Sequence, residues 1–388
     1  MKYLLQLGES IVFAGLTFFA GFYLFYYLIC LQSVKRKPEK SHKTVFGEYP
    51  NVSILIPTYN EAGVIEKKIV NLQKLSYPRN RFEALFVDGG STDGTAEIIE
   101  NMAEGSGLSI KVVRQYQRKG FNNAIIEGFA KTKGDIICFT GAETEYDSEA
   151  LNLMIRHFED PKVGAVTGKQ LIQNVDAGYS PKLEVAYRSL YDMIREAESC
   201  IDSPFDIKGE ITAVRRSVCK NLVEKPELKN RGCIDACISF QAKMDGFKTV
   251  YDQDAVYYEL SPKSFQDSAK QQIRRAATLI QNMMAFKGMM LRRKFGAFGM
   301  LIMPVHFMML TILPLIFLGS IIGLFTIIAL NPFNYFLLMI IGIGLLGIFF
   351  SSKLQAFVRA QLFLSVATLR FLFGIDTQKL ERLATSRS

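Results

Sequence analysis

The sequence predicts an α/β domain built on a mainly parallel sheet and flanked by transmembrane α-helices. Three observations carry that expectation. Apolar residues are concentrated in two charge-free runs, 10–34 and 295–352. Between 50 and 170, short β-branched runs alternate with helical stretches. The composition is a mixture: of 388 residues, 49% are hydrophobic and 21% charged, with a mean hydropathy of +0.14. That apolar share excludes a disordered chain, and that charge excludes a bundle lying wholly in a membrane.

A spanning helix needs about 20 apolar residues, so residues 1–34 form an N-terminal transmembrane helix. A cleaved signal peptide fits less well, because the apolar core is too long and no small-residue cleavage site precedes the basic cluster. A basic linker follows at 35–49, with Lys35, Arg36, Lys37, Lys40 and Lys43. The run 295–352 holds two transmembrane helices, broken at Asn331-Pro332. Lys/Arg clusters at 35–43 and 287–294 flank the middle of the chain, which the positive-inside rule places in the cytoplasm. Residues 353–388 read as an interfacial amphipathic helix and C-terminal tail, since Arg359 and Arg370 interrupt the apolar pattern. A fourth span is the alternative there.

The formal net charge is +9, and much of the excess sits at the membrane edges. Anionic membrane lipids are therefore the expected partner, and nucleic acid is not. The six cysteines form no CxxC pair, and the three histidines lie at 42, 157 and 306. This disfavours zinc and fits reduced cytoplasmic thiols.

Residues 50–290 form the soluble domain. Strands are expected at 52–58, 83–88, 110–114, 135–140 and 164–168, with a helix over 61–74 and another opening at 91–93. In such sheets ligands bind at the carboxyl ends of the strands. The first strand ends in Pro57-Thr58-Tyr59-Asn60-Glu61, the second in Asp88-Gly89-Gly90-Ser91-Thr92-Asp93-Gly94-Thr95, and the fourth in Thr140-Gly141-Ala142-Glu143-Thr144-Glu145. Taken singly, 91–93 is what a helix cap looks like, and Glu143 what a surface carboxylate looks like. Three polar loops at three strand ends point to one cleft. Asp235, beside Cys233, Ile234, Ala236 and Cys237, is partly desolvated if its segment packs, which would raise its pKa toward that of a general base. A plain N-cap is the equal alternative. Arg274 and Arg275 could clamp a diphosphate, or reach headgroups from an interfacial helix.

These residues resemble membrane-embedded glycosyltransferase family 2, of the Rossmann-like GT-A fold, related to cellulose, hyaluronan and dolichyl-phosphate-sugar synthases. The resemblance covers 50–290, and its most specific feature is PTYNE at 57–61 followed by VDGGSTDGT. It implies that Pro57, Tyr59, Glu61, Asp88, Lys119, Glu143, Arg274 and Arg275 face the nucleotide-diphosphate sugar. Asp235 is then the general base. Lys208, Gly209, Glu210 and Gln271 lie on the acceptor side, with Gln271, Arg274 and Arg275 on the family's QxxRW signature. A Mg²⁺ or Mn²⁺ ion is implied on Glu143, assisted by Glu145.

The sequence departs from the family at several points. The second Asp of the first acidic pair is Gly89. The metal motif, Asp-x-Asp in the family, reads Gly141-Ala142-Glu143. The Glu before the catalytic acid is Ile234, and the signature Trp is Arg275 in a chain with no Trp. The expected function is inverting transfer of a sugar to a membrane-presented acceptor, lipid-linked or glycan, at the cytoplasmic face. The alternatives are a processive polysaccharide synthase and an inactive membrane-anchored nucleotide-sugar binder. A transporter is disfavoured, because no expected span carries an intramembrane charge.

Overall fold

The computed structural model describes residues 2–36, 48–225, 233–262, 264–332 and 334–375. Most of the basic linker and the C-terminal tail from 376 lie outside the described residues.

The first half of the domain is the alternation the sequence announces. Strands β1 (Val52–Thr58), β2 (Phe82–Asp88), β3 (Ser109–Arg114) and β4 (Ile136–Phe139) pair in parallel in the order β3-β2-β1-β4. Helices α2 (Ala62–Gln73), α3 (Thr95–Gly105) and α4 (Phe121–Phe129) connect them. Strand β1 is buried on both faces: Ile54 and Ile56 join one core cluster, Leu55 the other. Ile65, Ile69 and Leu72 form the stripe that seats α2 on the first of these clusters.

The second half departs from simple alternation. The sheet continues β4-β7-β6-β8-β5, with β5 (Glu145–Tyr146), β6 (Val163–Ile172), β7 (Thr212–Arg215) and β8 (Lys248–Glu259). Strand β7 runs antiparallel between β4 and β6, with Phe139 opposite Thr212. Residues just before β7 therefore emerge at the same edge as residues just after β4. Helices α5 (Ala150–Ile155), α6 (Tyr179–Ile201), α7 (Arg216–Val223), α8 (Ile238–Met244) and α9 (Phe265–Ala285) complete the layers.

On the membrane side, α1 (Lys2–Lys35) packs against α10 (Phe298–Leu330). The stretches Leu5–Lys35 and Phe298–Leu330 are both long and apolar enough to cross a membrane. The expected break at Asn331 is present. The helix beyond it, α11 (Tyr335–Phe350), has 16 residues, capped by the Asn334 side chain. Helix α12 (Ser352–Leu372) packs one face on α6, α9 and α10, and Arg359 lies on that buried face.

Helix α6 joins the two halves of the molecule. Glu198 near its end accepts a hydrogen bond from the Tyr26 hydroxyl of α1 (2.6 Å), and its same oxygen lies 2.5 Å from His306 Nε2 of α10. Its other oxygen accepts from the Phe205 backbone N–H, and the His306 ring stacks on Phe205 at 4.0 Å. Replacing Glu198 by Ala strands buried partners on two apolar helices. It is expected to cost about 3–5 kcal/mol, read as a lower melting temperature of the full chain in detergent.

Candidate functional site

The site is assembled at the carboxyl edge of β1, β2 and β4, and its first two loops are locked together. Asn60, in a left-handed conformation (φ +53°), donates its N–H to Ser91 Oγ (2.9 Å) and accepts from Thr92 N–H (2.9 Å). Glu61 N–H donates to Thr95 Oγ1 and Ala62 N–H to Asp93 Oδ2. The motifs at 57–61 and 88–95 are thus two halves of one hydrogen-bonded unit. Asp93 bridges these loops and also accepts from the N–H and hydroxyl of Thr95, the first residue of α3, which starts after Gly94 at φ +86°. Asp88 is buried, and its carboxylate accepts from the N–H groups of Gly90 and Ser91 and from the Ser91 hydroxyl. Tyr59 lies under the Arg118 guanidinium, 4.3 Å from ring centroid to Cζ.

The acidic centre lies under β4 and β7. Gly141 takes the place of the first motif carboxylate. A Cβ there would lie 2.6 Å from Glu210 Oε2 and 2.9 Å from Glu143 Oε2. Both carboxylates therefore converge on the space that Gly141 leaves open. Glu210, expected on the acceptor side, belongs beside Glu143, because the 3₁₀ turn Gly209–Ile211 precedes the antiparallel β7 and emerges at this edge. Gly209 is equally constrained: a Cβ there would lie 1.7 Å from Asp235 Oδ2. Asp235 opens the turn Asp235–Cys237 and accepts from Ala236 N–H (2.9 Å). Glu145 lies on β5, opposite Tyr258 of β8.

Electrostatics follow from the crowding. Burial, and then the charges of Glu143, Glu259 and Asp235, push the Glu210 carboxyl up to about 8, while Arg275 opposes the rise. Burial also raises Asp235, against the pull of hydrogen bonds from the Cys233 thiol and the Ala236 N–H. Beneath the 140–146 loop sits a fully buried lysine, Lys68 of α2. Its Nζ donates to Thr140 Oγ1 (2.7 Å) and the Thr144 carbonyl (2.9 Å). Burial lowers its pKa to about 7, and Glu210, Glu143 and Glu145 resist the fall.

The remaining expected residues fall at the rim. Lys119 is exposed and pairs with Glu127 of α4 at 2.7 Å. Gln271 is buried on α9, and Arg274 and Arg275 are half-buried there. Arg275 lies 3.9 Å from Glu184 Oε1 of α6, which also holds Arg188 at 2.6 Å. Burial works to raise the Glu184 carboxyl, but Arg188, Arg275, Lys208 and Arg359 together hold it below the usual carboxylate range. Lys68, Glu184 and Arg118 were not singled out from the sequence. Lys68 had a signal, since position 68 shares the helical stripe of Ile65, Ile69 and Leu72.

Residues 53–223 match the family described as Glycosyl transferase family 2. Over that stretch the chain is similar to family 2 glycosyltransferase domains, and its mixed α/β sheet is GT-A-like. It is 26% identical over 266 residues to a poly-β-1,6-N-acetyl-D-glucosamine synthase of Staphylococcus aureus, a stretch covering 68% of this chain and 62% of that one. The synthase of Staphylococcus epidermidis is similar at 26% over 271 residues, covering 68% and 64%. Among solved structures, the mannosyltransferase PcManGT of Pyrobaculum calidifontis, in complex with GDP-Man and Mn²⁺, superposes with a TM-score of 0.82. The match covers 95% of this chain and all of that one at 23% identity, a likeness of fold.

The close approach of Gly209 to Asp235 is directly testable. Gly209→Ala must displace the Asp235 carboxylate. A shift of that size is expected to lower sugar transfer by about 10²-fold while leaving nucleotide affinity unchanged, measured by steady-state transfer and by calorimetry.

Proposed function

We propose that the chain transfers a sugar, with inversion, from a nucleotide-diphosphate sugar to a membrane-presented acceptor at the cytoplasmic face. The observation that carries this reading is the meeting of Asp235, Glu210 and Glu143 at the carboxyl edge of a family 2 domain joined to two apolar helices.

Asp235 removes the proton from the acceptor hydroxyl. The acceptor oxygen attacks the anomeric carbon as the bond from that carbon to the diphosphate oxygen breaks. The nucleoside diphosphate leaves, and one displacement inverts the centre. The raised pKa of Asp235 makes it a stronger proton acceptor than an exposed aspartate. Tyr59, Glu61 and Asp88 line the nucleotide side of the cleft, and Arg274 and Arg275 face the diphosphate from α9.

Glu143 and Glu210 are the residues that would hold a divalent ion, because their oxygens converge at Gly141. Among the described residues no three His, Cys, Asp or Glu side chains form a metal-binding group. Two carboxylates suit Mg²⁺ or Mn²⁺, which complete their shells with substrate phosphates and water. When bound, the ion supplies charge neutralisation for the departing diphosphate. Glu210 thus replaces Glu145 as the partner of Glu143, and supplies from the turn before β7 the carboxylate that position 141 lacks.

The likeness to poly-β-1,6-N-acetyl-D-glucosamine synthases over 68% of the chain favours a second reading, repeated addition to a growing glycan. Product length by mass spectrometry separates the two: one added sugar per acceptor supports single transfer, and a ladder supports polymerisation.

Asp235→Asn is expected to lower transfer by about 10²–10⁴-fold with donor affinity retained. Substantial residual transfer would remove Asp235 as the base. For the ion, Mn²⁺ binding is read by electron paramagnetic resonance in the presence of nucleoside diphosphate. Glu210→Gln is expected to weaken it roughly tenfold or more, as is Glu143→Gln. Unchanged Mn²⁺ affinity in Glu210→Gln would exclude Glu210 as a ligand.

A further inference from the structure

The junction of α6, α9 and α12 holds more positive charge than its own carboxylates balance. Arg359 of α12 is 8% exposed, and none of its three guanidinium nitrogens makes a hydrogen bond. Its closest carboxylate oxygen is Glu184 Oε2 at 3.9 Å, and Glu184 is already held by Arg188 at 2.6 Å and by the Gln272 side chain at 2.7 Å. Arg275 approaches the same carboxylate at 3.9 Å, and Lys208 is near enough to act on it. Glu184 therefore serves several cations, with Asp206 also acting on Lys208 and Glu210 on Arg275. The Ser180 hydroxyl, one turn before Glu184 on the same face of α6, is also buried without a partner. Five N–H donors buried without an acceptor are costly in a folded protein. An oxyanion placed among them would satisfy both charge and donors.

The chemistry of that anion follows from the position. Guanidinium groups select planar or tetrahedral oxyanions by paired hydrogen bonds. Arg275 is shared between this junction and the acidic centre, since it also acts on Glu210. The exposed apolar residues of α12 include Leu362 and Val366, three and seven positions after Arg359 and so beside it along the helix. A ligand reaching Arg359 along that face has an apolar tail and an anionic head.

We propose that Arg359, with Arg275 and Ser180, binds the phosphate of a membrane-borne lipid and thereby seats the acceptor at the site. This rests on the transfer reading above for its purpose, though not for its chemistry. The full chain in detergent is unfolded thermally with farnesyl phosphate, farnesol or inorganic phosphate, and separately with UDP or GDP plus Mn²⁺. Farnesyl phosphate is expected to raise the melting temperature of the wild type, and farnesol and inorganic phosphate at the same concentration are not. Arg359→Gln should abolish that rise and keep the nucleotide response, while Arg359→Lys, which keeps the charge, should retain part of it. The proposal is overturned if farnesol or inorganic phosphate acts as strongly as farnesyl phosphate. It is equally overturned if Arg359→Gln keeps the full rise or loses the nucleotide response instead. A wild type that responds to farnesyl phosphate but to neither nucleotide would strike the transfer reading and leave this site standing.

Discussion

Glu210, Glu143 and Asp235 are brought together against their mutual repulsion, and the rest of the catalytic domain is organised around that fact. The backbone does the forcing. Strand β7 enters the sheet antiparallel to β4, so the turn before it delivers Gly209 and Glu210 to the edge where β4 delivers Gly141 and Glu143. Two glycines make room: Gly141 where Glu143 and Glu210 converge, and Gly209 against Asp235. Lys68 below and Arg275 above supply partial compensation. Burial first, and then the neighbouring carboxylates, push Glu210 up, and a cation brought with the substrate is a natural complement.

Local patterns were readable wherever the physics was local. Strand β1 is written as a buried apolar run, and the loops at 57–61 and 88–95 announce themselves through turn residues that then hydrogen-bond to each other. The desolvation of Asp235 was legible in its apolar neighbours, beside the equal alternative of a helix cap. The nearness of Glu210 to Glu143 was not legible, because it depends on the pairing of Phe139 with Thr212 across more than seventy residues. Nothing within the stretch 208–217 states that β7 inserts beside β4. Lys68 illustrates a different failure. Its place on the apolar stripe of α2 was legible, but its acceptors come from the 140–144 loop.

Helix α6 is the mechanical link between chemistry and membrane. Glu198 ties it to Tyr26 and His306 on the two long apolar helices, and Glu184 gathers Arg188, Arg275 and Arg359 about 21 Å earlier along its axis. The reading of α12 changes accordingly. Arg359 looked like a break in an apolar pattern that would keep its helix at the interface. It lies instead on the packed face, a few ångströms from a carboxylate that Arg275 also approaches.

The central claim is that one carboxylate base, Asp235, drives a single displacement at the anomeric carbon. Proton NMR of the glycosidic product, compared with the donor, tests it most directly. The expected product has an anomeric configuration opposite to that of the donor sugar. Retention of the donor configuration would contradict it.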